Sequence, residues 1–183
     1  MTFTVVYDAN VLYPNALRDL LIRVAQAGMV QAKWTHQILD ETFRNVAKNN
    51  PQLDPAKLTR TRELMLTAVR DGLVLGHEPL IEALELPDPN DRHVLAAAIK
   101  ARAQTIVTFN LKDFPDEKLV PWQVEAQHPD QFISDLIDLK KTTVYGAVQR
   151  MADSTKHPPL SVEDVLTRLS RCGLVTSAAA LAA

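Results

Sequence analysis

Short runs of β-branched and aromatic residues recur along this chain, and between them apolar residues return every three or four positions. Phe3 to Tyr7, Leu73 to Leu75 and Gln104 to Phe109 carry the first pattern. Leu17, Leu20, Leu21 and Val24 carry the second, as do Ile38, Leu39, Phe43 and Val46, and then Leu58, Leu64, Met65, Ala68 and Val69. The order strand, three helices, strand, helix, strand predicts an α/β fold with a central parallel sheet flanked by helices. Parallel neighbours need a crossover, and a helix is its usual form.

Punctuation along the chain agrees. Gly28 closes the first helix, Asn49-Asn50-Pro51 the second, and Asp54-Pro55 supplies a cap and a first-turn proline for the third, which stops at Asp71-Gly72. Asp88-Pro89-Asn90-Asp91 opens an alanine-rich helix from Val94 to Arg102. From Pro129 onward only helical patterns remain, over Phe132 to Leu139, Val144 to Met151 and Val162 to Leu169. The expected division is an α/β domain over residues 1–128 and a helical C-terminal extension over residues 129–183. The terminal S-A-A-A-L-A-A is alanine-rich and short.

A formal charge of −2 excludes binding of nucleic acid through overall positive potential and leaves room only for a local basic patch. The single cysteine, Cys172, forms neither an internal disulfide nor a zinc site alone, which fits a reducing compartment. The N-terminus lacks the basic and apolar regions of a signal peptide, and no apolar run reaches membrane-spanning length. The expected location is the cytoplasm, with no membrane partner.

Asp8 ends the first predicted strand, and Asp113 follows the last across Asn110-Leu111-Lys112. Parallel strand ends share one edge of the sheet, so the two acids can share a site. Glu41 in L-D-E-T-F and the pair Asp88 and Asp91 add three more carboxylates. Several carboxylates gathered without bases repel one another unless a hard divalent cation joins them. Such a cluster suits in-line displacement at phosphorus, which implies phosphodiester hydrolysis. Each acid also has a plain structural use: Asp8 and Asp88 as helix caps, Asp91 in a first helical turn, Asp113 in a turn, Glu41 on a solvated helix face.

The wording of V-V-Y-D-A-N-V-L-Y-P, of I-L-D-E-T-F-R-N-V, and of D-P-N-D-R-H-V-L-A-A-A-I-K-A-R-A-Q-T-I-V-T-F-N-L-K-D-F resembles the PIN domain family, from about Phe3 to Val120. That resemblance implies a Mg²⁺- or Mn²⁺-dependent ribonuclease, and for many bacterial members a VapC-type toxin of a toxin–antitoxin pair. Matched residue by residue, it implies Asp8, Glu41, Asp91 and Asp113 as the acids that hold the ion and carry catalysis. Asp88 matches the extra acid of a D-x-x-D arrangement. Asn110 matches a polar residue beside the site, and Thr108 a small hydroxyl residue at the strand end. Asp40 immediately precedes Glu41 and is its rival for the helix position.

RNA is held largely through its phosphates by lysine and arginine. Arg44 and Lys48 follow Glu41 by one and two turns, and Arg92 and Lys112 flank the other acids, so these four with Asn110 are the candidate substrate contacts. A solvated surface charge is the alternative for each basic residue. His93 is not needed as a general base where a metal activates water. The resemblance further implies a homodimer and a cognate antitoxin.

Two other enzyme classes begin with an aspartate after the first strand. A haloacid dehalogenase-type phosphatase needs a second aspartate two residues on, where this chain has Asn10. A phosphoacceptor receiver domain needs paired acids after the first strand and a lysine after the last. The reading from a different class is a non-catalytic PIN scaffold that binds RNA or protein without cutting.

Overall fold

The computed structural model describes residues 2–183. Four strands, β1 (Phe3–Tyr7), β2 (Val30–Lys33), β3 (Thr105–Val107) and β4 (Glu125–Gln127), form one parallel sheet in the order β2-β1-β3-β4. The α-helices between β1 and β3 are α1 (Ala9–Leu12), α2 (Asn15–Gln26), α3 (His36–Asn49), α4 (Pro55–Ala68), α5 (Glu78–Ile81) and α6 (Arg92–Ala101). After β3 come α7 (Asp116–Leu119), α8 (Pro129–Ser154), α9 (Val162–Arg171) and α10 (Val175–Ala182).

β1 is central, which explains its unbroken apolar run: Val5, Val6 and Tyr7 are all buried. The crossovers from β1 to β2 and from β2 to β3 run in opposite directions across the sheet. Right-handed connections then set α2 and α6 on opposite faces. α6 packs on β1 and β3, while Tyr7 turns toward α2 and α8. Its hydroxyl donates to the Leu21 carbonyl at 3.0 Å, and its ring meets Phe132 edge-on with centroids 6.1 Å apart.

α3 buries Ile38, Leu39, Thr42, Phe43 and Val46, the face expected from periodicity, and starts at Thr35, whose hydroxyl accepts from Ile38 N. α4 starts at Asp54 and Pro55 as expected. The strand expected at Leu73 to Leu75 does not form as such. It reduces to one parallel bridge between Leu73 and Trp34, because Gly72 and the left-handed Gly76 turn the chain on either side. Two strands went unforeseen, β2 (V-Q-A-K) and β4 (E-A-Q). Both are short edge strands with little β propensity of their own.

The helices expected at Phe132 to Leu139 and Val144 to Met151 join as α8, bent where Lys140 leaves helical geometry. The alanine-rich tail forms α10. Asp130 fastens it: its carboxylate accepts from Thr176 N at 3.0 Å and from Ser177 N at 2.8 Å. Apolar residues of the last three helices, among them Ile133, Val148, Leu169 and Leu181, belong to the same continuous core as Val6, Leu20 and Ile106. Among the described residues, no helix is long and apolar enough to cross a membrane.

Candidate active site

The strand order changes direction between β1 and β3, since β1 leads outward to β2 and β3 outward to β4. At such a switch point a crevice opens beyond the carboxyl ends of the strands. Asp8 follows β1 there and Thr108 follows β3, with Asp8 N donating to the Val107 carbonyl at 3.1 Å.

Asp8 serves as the N-cap of α1, its Oδ1 accepting from Ala9 N at 2.8 Å. Its Oδ2 accepts from the Thr108 hydroxyl at 2.9 Å and from Asn10 Nδ2 at 3.3 Å. Asn10 also ties the two strand ends together, since its Oδ1 accepts from Phe109 N at 3.2 Å. Asp8 is only 6% exposed. Burial pushes its carboxyl up to about 6, against the lowering pull of the bonds from Thr108 and Ala9; the charges of Glu41 and Asp113 add to the rise.

The Asp88-Pro89-Asn90-Asp91 segment divides its labour. Asp88 caps the 3-10 turn Pro89–Asp91, accepting from Asn90 N at 2.9 Å. Asp91 stands at the N-cap position of α6 and makes no side-chain capping bond, so its carboxylate faces the crevice uncommitted. Burial pushes it up to about 7, helped by the charges of Asp8, Asp88, Asp113 and Glu41.

These groups bound a cleft of about 350 Å³. Its carboxylates are Asp8, Glu41 and Asp91; its other polar lining is Asn10, Tyr13, Asn45, Asn49 and Asn110. Among the described residues no lysine or arginine lines it. Asp113 stands just outside the lining, its charge felt by both Asp8 and Asp91. Asp40 points away from the cleft and pairs with Arg62, which distinguishes it from Glu41. A larger depression of about 560 Å³, bounded by Gln31, Lys33 and Arg70 at the edge of β2, contains none of these acids.

The candidate basic residues are spread more widely. Arg44, Lys48 and Lys112 are exposed and do not line the cleft. Arg92 donates to the Pro89 carbonyl and borders a separate depression beside Glu85 and Lys118. His93 is buried, and burial, then the neighbouring His77, holds its imidazole down to about 4. It is therefore uncharged at neutral pH and turned into the protein. Asn45 and Asn49 carry no motif in the sequence, and Tyr13 reads there only as part of the apolar stretch with Leu12, Leu17, Leu20 and Leu21, whereas it lines the cleft. The signal of the two asparagines was that of polar residues at one-turn spacing, Glu41, Asn45 and Asn49, on one face of α3.

Among the described residues no three His, Cys, Asp or Glu side chains are gathered into a ready ligand cage. The donor set nonetheless fits a hard divalent ion. It is all oxygen, it carries excess negative charge with no basic partner in the cleft, and Mg²⁺ or Mn²⁺ keeps several waters where few carboxylates reach it.

Residues 4–112 match the PIN domain family, and residues 129–183 match the VapC50 C-terminal domain. A curated protein of Mycobacterium tuberculosis (strain ATCC 25618 / H37Rv), "Putative ribonuclease VapC50", is 43% identical over 107 residues. That alignment covers 56% of this chain and 63% of the relative, so the chain spans less than two thirds of the relative's length. No solved structure matches the chain. The family match takes in more than half of the chain, includes Asp8, Glu41, Asp88 and Asp91, and ends one residue before Asp113. With the parallel sheet and the acidic switch-point cleft, it shows that this chain belongs to the PIN domain family.

Proposed function

We propose that this chain is a divalent-metal-dependent endoribonuclease, the toxin of a toxin–antitoxin pair, that hydrolyses RNA phosphodiester bonds. The observation that carries this reading is the cleft itself, where Asp8, Glu41 and Asp91 face one volume that no cationic side chain enters. The printed name of the curated relative, a ribonuclease, supports it. When bound, Mg²⁺ or Mn²⁺ supplies Lewis-acid stabilisation of phosphate oxygens and a lower pKa for the attacking water.

The protein's own part is to hold and orient. Asp8 would hold the ion from the end of β1, its carboxylate fixed by Thr108, Asn10 and Ala9 N. Asp91 at the N-cap of α6 and Glu41 on α3 would complete the set, and Asp113 would contribute from beyond β3. Asp88 sets the turn that presents Asp91 and adds to the local negative charge. Asn110 offers its amide to the phosphate beside these acids. Arg44, Lys48 and Lys112 hold flanking phosphates outside the cleft, with Arg92 on a more distant part of the strand's path.

Residues 1–128 form the catalytic unit, and residues 129–183 an extension built onto the same core. A cognate antitoxin, a second copy in a homodimer and a cytoplasmic setting accompany this function. The test is cleavage of a mixed pool of structured and single-stranded RNA with Mn²⁺, Mg²⁺ or EDTA. Cutting that needs the ion and disappears in Asp91→Asn supports the reading; cutting that persists in EDTA refutes it.

A further inference from the structure

The acids occupy only part of the cleft. Beyond them its lining changes character: Tyr13, at the end of α1, faces Asn45 and Asn49, which lie on α3 one and two turns past Glu41. Four residues of helix rise about 6 Å, so this wall extends roughly 12 Å along α3 from the carboxylates. Asn49 Nδ2 donates to the Tyr13 hydroxyl oxygen at 3.0 Å. That bond leaves the Tyr13 O–H and the Asn49 carbonyl oxygen free to face a ligand. Among the described residues the Asn45 amide has no side-chain partner, so it presents a donor and an acceptor together.

What such a wall recognises follows from what it lacks. A second phosphate would need cationic or multiple backbone donors, and here no lysine or arginine lines the cleft. A flat ring beside neutral donors and acceptors matches the face and edge of a nucleobase. A paired base hides that edge in the helix, so the fitting substrate is single-stranded RNA with the base turned out of the stack.

We propose that Tyr13, Asn45 and Asn49 form a base-reading subsite that takes one unpaired nucleobase next to the scissile phosphate. This rests on the nuclease reading of the neighbouring acids. Tyr13 supplies the stacking surface and its hydroxyl orients Asn49, and the two amides read the base edge. Asn45 and Asn49 are exposed helix positions where alanine is the better helix former, so their replacement leaves the fold intact.

Two measurements test it together. In the first, random single-stranded RNA is cut by wild type, Asn45→Ala, Asn49→Ala, Tyr13→Phe and Tyr13→Ala with Mn²⁺, and the cut ends are sequenced. Wild type should prefer one base at one position beside the cut. Both asparagine variants should flatten that preference, losing about ten- to hundredfold in kcat/KM on the preferred RNA and little on the others. Tyr13→Phe should relax the choice with modest loss, and Tyr13→Ala should lose rate on every base.

In the second, binding of tetranucleotides differing in one base is measured in the Asp91→Asn background, with and without Asn45→Ala. A base preference of about tenfold that Asn45→Ala removes supports the subsite even if wild type fails to cut, in which case only the nuclease reading falls. Uniform loss on all sequences in the asparagine variants, no base preference in either measurement, or a dependence on the neighbouring 2′-hydroxyl instead of the base overturns the subsite.

Discussion

The Thr108 hydroxyl donates to Asp8 Oδ2 at 2.9 Å, joining residues one hundred positions apart at the ends of adjacent central strands. Its direction is forced. Thr108 Oγ1 already accepts from Asn10 Nδ2 and from Asn110 N, both at 3.1 Å, so its one proton goes to the carboxylate.

Thr108→Val keeps the shape and removes the bond, leaving a buried carboxylate oxygen and two donors poorer by one partner. The cost is about 1–3 kcal/mol, or a fall in Tm of roughly 2–10 °C for a chain of this size. Since this bond pulls the Asp8 carboxyl down, its loss should also move the acidic limb of the cleavage pH profile upward, and Thr108→Ser should restore it. A Tm loss with an unmoved profile would leave Thr108 a purely structural residue.

Asp91→Asn should stabilise the metal-free protein at neutral pH. A carboxyl whose folded pKa is raised from 3.8 to about 7 takes up a proton on folding across that window, so stability falls as pH rises through it and the penalty is complete above it. Asp91 is only half-buried, and after screening by solvent the gain is on the order of 1–2 kcal/mol, seen as a Tm higher by roughly 2–6 °C at pH 8. Near pH 4 the two proteins should melt together. Thermal melts in EDTA at the two pH values check this.

Glu41→Gln should lower RNA cleavage about a hundredfold or more, whereas Asp40→Asn should change it less than about twofold. Asp40 pairs with Arg62 at the surface, and loss of that pair costs about 0–1 kcal/mol. Parallel rate measurements on the two variants decide which helix acid belongs to the site.

Asp130→Ala should loosen the C-terminal helix without touching the cleft. It deletes the acceptor for Thr176 N and Ser177 N at the start of α10, at a cost of about 1–2 kcal/mol. Amide exchange should rise across α10 first, with cleavage rates unchanged.

Much of this architecture was legible in residue order. β1 is readable because a central parallel strand is buried on both faces, which makes V-V-Y conspicuous, and α3 because its apolar stripe repeats cleanly. β2 and β4 were not, because an edge strand of three or four residues takes its pairing from its neighbour and leaves little trace in V-Q-A-K or E-A-Q. The acids were legible through their positions at strand and helix ends. The cleft's neutral wall was not, since asparagines on an exposed helix face look like solvated surface until Tyr13 is brought opposite them. Their sequence neighbours Arg44 and Lys48, being charged, are the more conspicuous candidates for contact with RNA.

Whether these acids hold a divalent ion is tested most directly by Mn²⁺ binding to the full chain, followed by titration calorimetry near pH 7 for wild type and Asp91→Asn in two buffers of different ionisation heat. Wild type should bind Mn²⁺ and release protons as it does so, because Asp91, pushed up to about 7, is partly protonated before the ion arrives. Asp91→Asn should bind at least about tenfold more weakly with less proton release. Equal affinity and equal proton release in the two proteins would show that Asp91 does not hold the ion.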